Sequence, residues 1–276
     1  MTGGNTISPS QHADAAGLFL LFAPGSRPTR ADIRTFVMRQ HAVLLSHDPA
    51  DETGAGLVVA NSEHRMDPAT STGAQAEVWI ELLREGLTFD LRGLAPGPGA
   101  LPPAIAHRFD FAERGQGEWE ALTIVPGPHL AGGERSVPVL KGMIGLARDL
   151  TQHFTDLEAV FWQPSHSAIG RRFFESVVTA WLDGGAFPAL GLTAFEETAD
   201  GALQSIGLDV WIGQELRIEP PLTADKVAAT RLGVRLINQL VILGGLDESE
   251  RIIAPDGTRL VMQGSRNSQF IRVRRE

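Results

Sequence analysis

Apolar positions along this chain fall into short continuous or alternating runs, separated by stretches with helical spacing. Gly17-Leu18-Phe19-Leu20-Leu21-Phe22, closed by Pro24-Gly25, reads as a strand buried on both faces. Thr29 with Asp32 three residues on has the form of a capping box, and Ile33, Phe36, Val37 and Gln40 carry it into a helix of about three turns. Residues 42–46 and 56–60 read as strands around a turn-rich loop at 48–54. Thr72 and Gln75 repeat the capping pattern, and Val78, Trp79, Leu82 and Leu83 predict a helix that Gly86 ends. Residues 87–91 and 119–125 follow as strands. The Gly- and Pro-rich segment 93–103 between them reads as a surface connector.

The second half repeats the alternation. Leu140, Ile144, Ala147 and Leu150 give an apolar stripe to a helix over 137–154, followed by a strand over 157–162. Pro164-Ser165-His166-Ser167 is a turn, with Ser167 as the cap of a helix marked by Ile169, Phe173, Val177 and Ala180 and ended by Asp183-Gly184-Gly185. Strands are expected over 190–196, 204–211 and 215–219. A helix begins at Thr223 and runs through Val241 to Gly244-Gly245, and residues 252–273 look like a closing hairpin and edge. Parallel neighbours need a crossover of a dozen or more residues, and several of these strands are closer than that. The expectation is therefore an α+β fold with mixed or antiparallel sheets and helices on one face.

It takes the form of two αβ layered halves at 16–130 and 131–276 behind a flexible N-terminus at 1–15, with a ferredoxin-like layout or an internal duplication as its finer versions. The duplication rests on an echo. Gly56-Leu57-Val58-Val59 leading to Glu63-His64-Arg65-Met66-Asp67-Pro68 returns, with one inserted residue, as Gly207-Leu208-Asp209-Val210 leading to Glu215-Leu216-Arg217-Ile218-Glu219-Pro220.

Composition narrows the chemistry. Net charge is −9, which argues against broad nucleic-acid binding and suits a basic protein partner. The carboxyl end departs from this, with Arg266, Arg272, Arg274 and Arg275 together; such a tail beside a strand discourages strand addition or makes a local anionic contact. Cysteine and tyrosine are both absent, so disulfides, thiolates and phenolic acid/base chemistry are excluded. No apolar run approaches the ~18 residues of a membrane span, and the polar amino terminus lacks the sections of a signal peptide, so a cytoplasmic location is expected.

Reactive constellations are sparse. No Gly-Lys-Ser/Thr phosphate loop and no dinucleotide glycine pattern occurs, so no cofactor is expected. His41 and His47, with Glu63, His64 and Asp67, do not form a metal-ligand set, so no metal site is expected. Ser165 and His166 sit at a turn after a strand, where a hydroxyl with a base and an orienting acid would make a nucleophile; Ser167 as cap and His166 as a surface turn residue is the plainer reading. Glu215 with Arg217, and Glu63 with Arg65, each share one strand face and read as an ion pair or as an Arg fork for a carboxylate. Trp162 reads as core or as part of a ligand platform.

The stretch 137–221 resembles a bacterial family catalogued as domain of unknown function 4261. The likeness is carried by the helix before Ala159-Val160-Phe161-Trp162, the aromatic-rich helix after it, and Ile206-Gly207-Leu208 running to Gly213-Gln214-Glu215-Leu216. The resemblance implies a bacterial protein, sometimes placed beside secretion-system or toxin-immunity neighbourhoods, and assigns no residue a role. Two functions follow as expectations. One is a non-enzymatic protein-binding protein, such as an immunity or secretion accessory factor. The other is a hydrolase using Ser165 and His166.

Overall fold

The computed structural model describes residues 17–54, 78–101, 104–111, 119–254 and 256–276. The N-terminal residues 1–15, the strand at 56–60, the cap at Thr72 and the first copy of the echo, with Glu63 and Arg65, lie outside them. In chain order the first elements are β1 (Leu18–Phe22), α1 (Arg30–Arg39), β2 (Val43–His47), α2 (Pro49–Gly54), β3 (Trp79–Arg84), β4 (Leu87–Arg92), β5 (His107–Phe109) and β6 (Glu120–Pro126). Next come α3 (Val137–His153), β7 (Leu157–Trp162), β8 (Ser167–Gly170), α4 (Arg171–Leu182) and the single turn α5 (Ala189–Leu192). The chain closes with β9 (Ala194–Glu197), β10 (Leu203–Ile206), α6 (Asp209–Ile212), β11 (Glu215–Ile218), α7 (Lys226–Leu243), β12 (Glu250–Ile253), β13 (Arg259–Gly264) and β14 (Phe270–Arg275).

These make two sheets, ordered β2-β3-β4-β6-β1-β7-β8-β5 and β12-β13-β14-β11-β10-β9. Among these strands only β5–β8 and β11–β14 run parallel; every other neighbouring strand pair is antiparallel. The fold is thus α+β with mixed sheets. β7 and β8, which the sequence places in the second half, are hydrogen-bonded into the first sheet, so the sheets divide between Gly170 and Ala194.

β1 shows why its run is continuous rather than alternating. Leu18, Leu20 and Phe22 join Ile33 and Phe36 of α1, Leu140, Met143 and Ile144 of α3, and Phe174 and Val178 of α4 in the main core. Leu21 packs on the other face with Ala121, Phe161 and Ala168, beneath Ala100, Ile105, Phe111 and Trp119. The first sheet is covered on both faces, with helices on only one. The second sheet turns Leu216, Ile218, Leu260, Met262, Ile271 and Val273 toward Leu236, Ile237 and Leu240 of α7, and none of the described residues covers Arg259, Gln263, Arg272 and Arg274 on its opposite face.

The capping box forms as the sequence indicates: Thr29 Oγ1 accepts from the Asp32 amide at 3.3 Å, while the Asp32 carboxylate accepts from the Thr29 amide at 2.8 Å. The helix expected through Val78–Leu83 is instead β3. Its burial alternates, with Ile80, Leu82 and Arg84 inside, and Glu85 (φ 52) and Gly86 (φ 80) form a left-handed two-residue turn into β4. Apolar residues on both faces of β3 satisfy a helical period as well as a strand one, and pairing on both sides with β2 and β4 decides it. Ser167 is likewise no helix cap, since it opens β8, and α4 begins at Arg171 after Gly170. Asp225, not Thr223, caps α7, accepting from the amides of Val227 and Ala228; Thr223 Oγ1 donates to the Gly201 carbonyl at 2.6 Å. The connector at 93–103 is only partly at the surface, for Leu94 is buried and Arg27 donates to the carbonyls of Gly93 and Gly97 beside it.

Among the described residues one charged pair lies inside. Arg84 Nε sits 3.0 Å from Asp149 Oδ2, both nearly inaccessible, and ties β3 to α3. Gly145 makes room for it, because a Cβ there would stand 2.7 Å from Arg84 Nη1. Among the described residues no helix is long and apolar enough to cross a membrane.

Candidate functional site

The strand expected over 204–211 ends at Ile206 because Gly207 takes φ +84 and turns the chain into α6. Any side chain at 207 would also strike the preceding sheet's turn, since its Cβ would lie 2.9 Å from Pro164 C and 2.9 Å from Ser165 N. Glycine therefore lets the two sheets meet, and beside that contact opens a cleft of about 890 Å³. Gln163, Pro164 and His166 line it from the first sheet, and Glu196, Gly207, Asp209, Glu215 and Phe270 from the second, with Arg135 reaching in ahead of α3.

Glu215 anchors the cleft floor. One carboxylate oxygen accepts from the amides of Gly207 at 2.7 Å, Leu208 at 3.1 Å and Asp209 at 3.3 Å, and the other accepts from the Ser205 hydroxyl. Burial pushes its carboxyl up to about 8; the Ser205 hydroxyl and the amides of Asp209 and Gly207 pull the other way, while the Asp209 charge pushes it further up. Asp209 is exposed at the mouth, and its carboxylate has no hydrogen-bond or ion-pair partner among the described residues.

His166 occupies the left-handed region (φ 49, ψ 35) and its carbonyl accepts from the amides of Ala106 at 3.0 Å and His107 at 3.1 Å. That places β5 at the edge of the first sheet, where His107 Nε2 lies 3.4 Å from Glu196 Oε1 on the edge strand of the second. This contact spans the two sheets beside the cleft.

The other sequence candidates are placed differently. Ser165 is fully buried, its Oγ 2.8 Å from the Gly191 carbonyl and 2.8 Å from Ser167 Oγ, so it does not face the cleft. Trp162 is fully buried and packs on Trp211 with ring centroids 6.0 Å apart, inside an aromatic group completed by Trp181 and Phe187. Arg217 shares the strand face of Glu215 but donates to Asp200 at 2.5 Å and Glu219 at 3.1 Å, so the two form neither an ion pair nor a fork. The structure brings His166 and Glu215 to one cleft and leaves Arg217, Trp162 and Ser165 out of its lining.

Arg135, Glu196, Asp209 and His107 were not visible as site residues from sequence, because one loop, the start of α6 and the edge strands of two different sheets bring them together. Gly207 and Gly213 were the available signal: two glycines six apart bracket a turn, not an unbroken strand. Chemically, the cleft sets three carboxyl groups (Glu196, Asp209, Glu215) against one guanidinium. No group of three or more His, Asp or Glu side chains among the described residues could hold a metal ion. Compared with family models, curated proteins and solved structures, the chain matches none.

Proposed function

We propose that this chain is a non-enzymatic binding protein that takes a basic segment of a protein partner into the cleft between its two sheets. The observation that carries the reading is the charge of the lining: the carboxylates of Glu196 and Asp209 face the recess, with Arg135 as the only Lys or Arg among its described lining residues, while Glu215, pushed up to about 8 by burial, adds a carboxyl that is protonated at neutral pH. A lysine or arginine side chain entering there would meet Asp209 at the mouth and Glu196 along the wall. The buried and hydrogen-bonded Ser165 supports binding over hydrolysis, because a serine nucleophile must reach its substrate.

Titrating the full chain calorimetrically with lysine- and arginine-containing peptides tests it. The reading expects saturable binding that weakens as salt is raised and is lost when Asp209 and Glu196 are both replaced by Lys. Heats that are absent, or equal in the double variant, would refute it.

A further inference from the structure

Among the described residues β12 terminates the second sheet and pairs only with β13, through Glu250↔Met262, Arg251↔Val261, Ile252↔Leu260 and Ile253↔Arg259. Just beyond it the Ala254 amide donates to the Thr258 carbonyl at 2.8 Å. Antiparallel pairs alternate between bonded and unbonded, so this bond sets the phase of the ladder. Glu250 and Ile252 direct their N–H and C=O toward β13, and Arg251 and Ile253 direct theirs outward. No backbone group of the described residues takes them up.

The side chains of the same two residues stand on the sheet face away from α7, where Ile253 is 74% exposed. Register places Arg259 across from Ile253, and Val261 between Arg251 and Arg274. With Arg272 this gathers four guanidiniums next to the free edge of a chain whose net charge is −9. Glu276 at 3.0 Å from Arg251 and Glu219 at 3.7 Å from Arg272 offset part of that charge; Arg259 and Arg274 have no acidic partner among the described residues.

We propose that β12 receives an extended acidic segment of another protein as a seventh strand of this sheet. The backbone of the incoming segment would pair with the outward groups of Arg251 and Ile253. Its residues on the open face would set carboxylates against Arg251, Arg259 and Arg274 and an apolar side chain against Ile253. Pairing with β12 of a second copy is disfavoured, because it would bring two such arginine groups together. A nucleic acid is disfavoured because the face offers only Phe270, half-buried, for base stacking. The proposal is independent of the cleft, whose preference is for the opposite charge.

The test is fluorescence anisotropy of a labelled octapeptide alternating Glu and Val, added to the full chain. Ile253→Pro removes an N–H that points away from β13 and leaves the ladder whole; it should weaken binding by about tenfold or more, as should Arg274→Glu. Asp209→Lys, in the cleft, should leave this binding unchanged. The proposal is overturned if the wild-type chain does not bind the peptide or if Ile253→Pro binds equally well. Tighter binding of an oligothymidine that Ile253→Pro leaves intact would overturn it too, as would a wild-type dimer that the same variant dissolves.

Discussion

The two sheets treat their second faces in opposite ways. The first is enclosed, with α1, α3 and α4 over one side and the segment holding Ala100, Ile105, Phe111 and Trp119 over the other. The second lies against α7 alone and presents Arg251, Arg259, Arg272 and Arg274 on its uncovered side, with Glu215 where that side runs into the cleft. The enclosed sheet presents no open face among the described residues, whereas the second leaves these charged side chains accessible. The cleft lies at their junction, where the stiff sheet backs the chemistry of the exposed one.

Substitutions should sort accordingly. Trp162→Ala, in the enclosed sheet, is expected to cost about 3–5 kcal/mol, because a fully buried indole leaves a cavity its neighbours cannot fill; denaturant unfolding measures it, and a loss under ~1 kcal/mol would break the contrast. Asp149→Ala should cost about 3 kcal/mol by removing the buried carboxylate from Arg84 Nε and leaving that guanidinium only the exposed Glu85 at 2.7 Å. A joint change of Arg84 to Met and Asp149 to Leu should recover most of that loss.

Glu215, on the cleft floor, brings a pH dependence. Its folded carboxyl is held near 8 by burial, above the ordinary glutamate value, so the folded chain binds its proton more tightly than the unfolded chain does. The stability this contributes is complete below the unfolded pKa and disappears as pH rises toward 8. Thermal midpoints should therefore decline between about pH 5 and pH 8, and Glu215→Gln should flatten that decline. A midpoint that rises over this interval in the wild type would contradict the assignment. Smallest of all, Ile253→Ser on the open face should change stability by no more than about 0.5 kcal/mol.

Much of the enclosed sheet was legible in the chain, because buried elements print their periodicity. The continuous run at Leu18–Phe22, the stripe of Leu140, Ile144, Ala147 and Leu150, and the Thr29 capping box each specify their element locally. Where β3 was misread as helix, both of its faces were apolar and only its partners, β2 and β4, could choose the period. The site was much less legible. Glu215 was singled out beside Arg217, two residues away on the same strand face, but its partners are Ser205 and the amides after Gly207, and a side chain's choice between neighbouring strand and neighbouring turn is not written in spacing. Asp209, Glu196 and Arg135 converge only through the meeting of two sheets, which depends on the close approach at Gly207.

Hydrogen–deuterium exchange of the full chain, with and without a saturating lysine-rich peptide, tests the central claim most directly. Exchange is expected to slow in the turn at 163–166 and in 205–215, with β12 unaffected. Unchanged exchange around Gly207 and Asp209 in the presence of bound peptide, or protection confined to another surface, would contradict it.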